Sequence, residues 1–234
     1  MSGHRIEEWD SAEEAQPRAP RHGFQGDRAA VPKGPLLPAS LTVAVSREAG
    51  SRGASIAARA GARLGWQVYT QEVLEYMAHA GTVRPAAAEE LPPEALRWVD
   101  ARLKFLLEQK HLHSSLTELA RTVLTLGVQG EVLLIGRGAG FILPHEATLH
   151  VRVIAPRDDR VAYLSQWLRL PMGEAAAQVD LRDARRREFI ATHYDREAGD
   201  MYQYDLLLNS SLLGEEMCAD LIVQAAKAKL TARS

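Results

Sequence analysis

A chain of 234 residues with 46% hydrophobic and 25% charged side chains has an ordinary globular composition, long enough for one sizeable core or a core plus a small insertion. A formal net charge of -2 supplies no overall basic field, so wholesale nucleic-acid binding is not expected. The single cysteine, Cys218, excludes an intramolecular disulfide, and no apolar run has membrane-spanning length or the form of a secretory signal. The expected compartment is the cytoplasm, with no membrane partner.

Residues 1–39 mix charges, prolines and scattered glycines without an apolar period, the composition of a tail that cannot bury enough surface to offset the entropy of ordering. Such a tail either recruits a protein partner or is a solvated leader. Residues 40–230 read as the folded domain. Leu41–Val45 reads as a short apolar strand, followed by Ser46-Arg-Glu-Ala-Gly-Ser-Arg-Gly-Ala-Ser55 and an alanine-rich helix with Ile56, Ala60 and Leu64 on one stripe. A glycine loop between strand and helix turns backbone N–H groups inward and adds the positive end of the helix dipole, which together hold phosphate. The pattern G-x-x-x-x-G-K-[ST] is met only in part, because Ala54 stands where the lysine belongs while Ser55 keeps the hydroxyl. Arg47 and Arg52 are the nearest cations able to replace it. The plainer alternative is a tight turn, with Gly50 and Gly53 chosen for positive φ.

Gly65 ends that helix, Trp66–Tyr69 reads as a second strand, and Thr70-Gln71-Glu72 opens a helix carrying Val73, Leu74 and Met77. Strands alternating with helices predict a parallel sheet covered on both faces, with ligands at the carboxyl ends of the strands. Residues 80–129 show no strand. Pro85, Pro92 and Pro93 punctuate them, then stripes follow at Leu96, Val99, Leu103 and Leu106 and at Leu116, Leu119, Val123 and Leu126. This helical insertion either binds substrate or covers the sheet. His111 and His113, two residues apart, face opposite sides of any helix and form no metal motif.

Glu131–Ile135 is a near-continuous apolar strand that runs into Gly136-Arg137-Gly138-Ala139-Gly140, placing Arg137 at the sheet's carboxyl edge, where a guanidinium can grip a phosphate. Leu149–Ile154 is the fourth strand, and Asp158-Asp159 is expected to cap a helix with Val161, Leu164, Trp167 and Leu168. The helix after Pro171 carries Arg182, Arg185 and Arg186, a charge run that is either a solvated face or part of a phosphate site. Tyr204–Asn209 is a fifth strand, and a last helix from Gly214 is expected to bury Met217, Leu221, Ile222 and Ala225.

In order, Val45–Ile56, Gly65–Leu74, Leu134–Leu143, Leu149–Asp159 and Tyr204–Ser211 resemble the cytidylate kinase-like family of P-loop nucleoside monophosphate kinases, over residues 41–228. The resemblance implies an α/β P-loop NTPase fold of three layers: a five-stranded parallel sheet with helices on both faces, a helical insertion for the nucleoside monophosphate at 80–129, and an arginine-rich lid at 170–200. It makes Ser46, Gly50, Ser51, Arg52, Gly53, Ala54 and Ser55 the cradle for the phosphates of ATP, with Ser55 a ligand of Mg²⁺. Arg137 becomes a ligand of the acceptor phosphate, and Arg182, Arg185 and Arg186 become lid cations acting with Arg47 or Arg52. Thr70 and Gly138 fall on the substrate side, where such kinases carry aspartates. The implied activity is ATP-dependent phosphoryl transfer to a CMP-like nucleoside monophosphate or related small phosphate acceptor. Loss of the loop lysine keeps open the alternative of a catalytically weak or inactive nucleotide-binding regulatory module.

Overall fold

The computed structural model describes residue 38 and residues 40–79 and 91–233. The expected tail with its protein partner, and the first residues of the 80–129 insertion, lie outside the described residues. Five parallel strands form one sheet: β1 (Thr42–Arg47), β2 (Gln67–Tyr69), β3 (Val132–Ile135), β4 (Thr148–Ile154) and β5 (Leu206–Asn209), in the order β2-β3-β1-β4-β5. β1 is central, with Val43 opposite Leu133 on one side and Leu149 on the other. The helices among the described residues are α1 (Gly53–Leu64), α2 (Gln71–His79), α3 (Pro93–Glu108), α4 (Thr117–Gln129), α5 (Ala139–Ile142), α6 (Arg157–Leu168), α7 (Met172–Tyr194) and α8 (Ser210–Thr231).

Because side chains alternate across a strand, β1 and β3 feed two cores. Val43, Val45, Leu133 and Ile135 pack with Ile56, Ala57 and Ala60 of α1 and with Cys218 and Ile222 of α8. Ala44, Val132 and Leu134 point the other way, toward Leu74 of α2, Val99, Leu103 and Leu106 of α3, and Leu119, Val123 and Leu126 of α4. The sheet is thus the middle of three layers, the expected architecture. Each fully buried leucine or isoleucine contributes about 1.5–3 kcal/mol, so apolarity on both faces of β3 is what keeps it inside the sheet between β2 and β1.

Several local expectations are corrected. Pro156, not an aspartate, is the N-cap of α6; Asp158 and Asp159 stand in the first turn, where carboxylates oppose the helix dipole without capping. Trp167 is exposed rather than buried, and Val73 and Leu96 are exposed at the edges of their stripes. The last helix starts four residues early, because the Asn209 side chain accepts the N–H groups of Ser211 and Leu212; Gly214, at φ 74, is a break within it. Beyond that break the buried stripe is Cys218, Ala219, Ile222, Val223 and Ala226, with Met217 exposed. The helix packs on both α1 and the sheet, and that double contact sets its buried arc.

Candidate active site

Two loops leave the carboxyl ends of the central strands side by side. After Arg47 the first loop turns through Gly50, at φ 80, where a Cβ would come within 2.5 Å of the Arg160 carbonyl oxygen. Ala49 is buried with Val161 and Leu164 of α6 and Ala175 and Val179 of α7, and its N–H donates to Asp183 Oδ1 at 2.7 Å. Ser51 Oγ donates to the Glu48 carbonyl at 2.9 Å. The loop ends on Arg52, a non-glycine residue at φ 60 that serves as the N-cap of α1.

The second loop has three consecutive residues in the left-handed region, Gly136, Arg137 and Gly138 at φ 83, 53 and 69, which swing the chain from β3 into α5. Tyr194 O–H donates to the Arg137 carbonyl at 2.6 Å and fixes this turn. A Cβ on Gly138 would lie 2.5 Å from Tyr194 Cζ, so the aspartate that the resemblance places here has no room. Burial raises the Tyr194 hydroxyl above the usual phenol range, which keeps it a proton donor.

Between the loops and α7 lies a cleft of about 500 Å³. It brings together Ser46, Arg47, Arg137, Gly138, Arg182, Arg185 and Arg186 of the residues singled out in the sequence, and adds Glu72, Arg152, Phe189 and Tyr204. Arg47 is pushed down to about 10, first by burial and then by Arg186, with Glu72 opposing the shift. Arg137 and Arg186 are also lowered, in both cases chiefly by burial. Glu72 is held below the usual carboxylate range first by its own backbone N–H, then by Thr70. Arg137 pairs with Glu75 and stacks 4.6 Å over the Phe189 ring. Arg152 donates to Tyr204 Oη at 3.2 Å, and that hydroxyl donates on to the Ala198 carbonyl at 3.0 Å. Below them, His150 lies 3.4 Å from Ser46 Oγ and is pushed down to about 4 by burial.

The other loop residues stand off the cavity wall. Arg52 lies 5.0 Å over the Tyr163 ring and 3.9 Å from Glu215. Ser55 donates its hydroxyl to the same Glu215. Ala54 is exposed, Ser51 and Gly53 are buried, and Thr70 Oγ1 accepts the Val73 N–H at 3.5 Å. Arg152 was legible in principle: with Thr148 and His150 it is a polar residue at alternate positions of a strand whose intervening residues are apolar, the mark of a face that is not plain core. Asp183, Arg160 and Glu215 carried no such signal.

A second cleft of about 570 Å³ shares Arg137 and Phe189 with the first and is walled by His79, Glu75, Glu118 and His193. His193 is lowered by burial, by His113 and by Arg137. Among the described residues no group of three or more His, Cys, Asp or Glu is arranged to hold a metal, and no helix is long and apolar enough to cross a membrane.

Comparison with known proteins bears on the fold and the family. A solved structure of an uncharacterized protein from Eubacterium ventriosum is similar with a TM-score of 0.57 at 17% identity, covering 81% of this chain and 99% of that one. Shikimate kinase from Bacteroides thetaiotaomicron is similar more loosely, with a TM-score of 0.45 at 11% identity over 82% of this chain and 98% of the other. A uronate isomerase from Corynebacterium glutamicum is 33% identical over 104 residues, 44% of this chain; the chain spans 20% of the length of that curated relative. Residues 42–212, from the start of β1 into α8, match the sequence model of the Cytidylate kinase-like family, and the chain belongs to that family.

Proposed function

We propose that the arginine-lined cleft passes the terminal phosphoryl group of ATP to the phosphate of a nucleoside monophosphate or a related small acceptor. The observation that carries this reading is the convergence of six guanidinium groups beside the strand–loop–helix turn. An acceptor phosphate is already anionic, so its oxygen needs no strong base to attack. The demand is for cations along the charge that spreads while the bond to the leaving diphosphate breaks. Arg47 takes the place of the missing lysine: it reaches from the end of β1 to Gly136 of the second loop, and at neutral pH it remains a cation.

Residues 50–55 and the amino end of α1 cradle the donor phosphates, Arg137 binds the acceptor phosphate, and Arg182, Arg185 and Arg186 close from the lid at 170–200. The organic part of the acceptor runs past Arg137 and Phe189 into the second cleft, on the side of the 80–129 insertion. Ser55 and Glu215 offer adjacent hard oxygen ligands that fit Mg²⁺, which when bound neutralises the donor phosphates. Catalysis rests on residues 40–230, and the tail is dispensable. A cytoplasmic nucleotide pool supplies both substrates. Incubating the protein with ATP, Mg²⁺ and a panel of nucleoside monophosphates is expected to yield ADP and a diphosphate for at least one acceptor; no diphosphate from any would overturn the reading. Ala54 in the lysine position favours one alternative, a nucleotide-binding module without turnover, and tight ATP binding by calorimetry with no product would select it.

A further inference from the structure

One carboxylate joins the first loop to α7. Asp183 lies between Arg182 and Arg186, with its side chain only 13% exposed. Its Oδ1 accepts the Ala49 N–H at 2.7 Å and stands 3.4 Å from Arg186 Nη1, while Oδ2 accepts from Arg160 Nη1 at 2.5 Å. Arg160 is buried and held on further sides, donating through Nε to the Ala155 carbonyl at 2.9 Å and through Nη1 to the Ala49 carbonyl at 3.2 Å. Glu48 Oε2 lies 3.4 Å from the same Nε and accepts the Ala155 N–H at 3.2 Å. Asp183 therefore holds both polar groups of Ala49, the N–H directly and the C=O through Arg160.

We propose that Asp183 is a positioning residue that straps the lid helix to the phosphate loop and so sets Arg182 and Arg186 against the cleft. This deepens the phosphoryl-transfer reading and rests on it, but its test needs no turnover. The physical need comes from the arginines themselves. Arg182 and Arg47 both act on Arg186 as like charges on the wall of one cleft, and that repulsion pushes α7 away from the sheet. A carboxylate three residues before Arg186 and hydrogen-bonded to the loop backbone supplies the opposing pull at the point where α7 and the loop meet.

The strap has a sign that distinguishes it from a plain charge effect. Asp183 is an anion beside an anion site, so removing its charge would by Coulomb's law alone tighten phosphate binding. Loss of a strap weakens it. The full chain carrying Asp183→Asn or Asp183→Ala is compared with wild type by calorimetric binding of tripolyphosphate and by amide hydrogen exchange. In Asp183→Ala, exchange in residues 46–52 and in residues 179–190 is expected to rise together by about tenfold, the loss of one hydrogen bond to a charged group. In the isosteric Asp183→Asn, tripolyphosphate is expected to bind about fivefold more weakly, since a neutral amide oxygen accepts the Ala49 N–H more weakly than a carboxylate and no longer pairs with Arg160 and Arg186. Asp183→Asn serves both measurements if the alanine variant does not fold. Unchanged exchange in 179–190, or tripolyphosphate affinity that is equal or tighter, would overturn the strap. If wild type binds no tripolyphosphate, the phosphate-cradle reading fails while the exchange data still decide the strap.

Discussion

Where α1 meets α8, Arg59 reaches Glu215 at 3.3 Å and also pairs with Glu216, and Arg63 pairs with Glu216 and with Asp220 at 3.0 Å. In the cleft, Arg47, Arg137, Arg152, Arg182, Arg185 and Arg186 share the wall with a single carboxylate, Glu72. The partners of Arg137, Arg152 and Arg186, which are Glu75, Glu48 and Asp183, are set back from it. The same side chain thus serves two ends. At the surface each guanidinium is matched within the chain and adds little, since exposed pairs contribute about 0–1 kcal/mol. In the cleft, burial and neighbouring cations lower the Arg47 pKa, an imbalance that an external polyanion relieves on the reading proposed above.

The largest expected break in this contrast is Arg47→Ala. Phosphoryl transfer, measured as kcat/KM with the best acceptor, is expected to fall between about 100- and 1000-fold, as when one transition-state donor is removed. The thermal midpoint should hold or rise, because a buried cation leaves a like-charged cluster. Wild-type turnover by this variant would show that the cleft arginines are no more functional than those on α1.

Acid sharpens the contrast by adding a cation below the cleft. His150 titrates near 6.5 when unfolded and at about 4 in the fold, so between these values the unfolded chain binds the proton and the folded one does not. Its neutral form therefore contributes stability that is complete above about pH 6.5 and is lost as pH falls through about 4, on the order of 3 kcal/mol. Urea midpoints across this range should drop for wild type and drop less for His150→Gln. Equal slopes would mean that the imidazole is not held neutral.

Arg52→Ala should do far less than Arg47→Ala. It removes a half-buried stack on Tyr163, about 0.5–1 kcal/mol of stability by urea titration, and leaves most turnover in place. A loss of turnover as large as that of Arg47→Ala would make Arg52 the replacement cation instead. Smallest of all, Glu216→Gln should cost less than about 1 kcal/mol, vanish in high salt and leave kcat/KM unchanged.

Local pattern carried much of the fold. The unbroken apolar run of β3 marked a strand buried on both faces, and the glycines around Arg137 marked a turn at its carboxyl end. The alanines of α1 marked a helix that could lie close to the sheet, and Gly65 marked its end. Five of the six arginines on the cleft wall, Arg47, Arg137, Arg182, Arg185 and Arg186, could be singled out because each follows a strand or rides a charged helical run. Arg52 could be singled out for the same reason, yet it stands on Tyr163, because neighbourhood in the chain does not say which way a residue at positive φ projects.

From sequence alone came the order of strands and helices along the chain, the apolar faces, the glycine loop with Ala54 in the lysine position, and the family. Periodicity and turn chemistry act over a few residues and are written where they act. Only the tertiary structure joined Asp183 to Ala49 across 134 residues, set Arg152 against Tyr204, gave Ser55 to Glu215, and closed Gly138 against Tyr194. Those contacts depend on how the layers stack, and a charge or a glycine has no partner until distant segments are packed beside it.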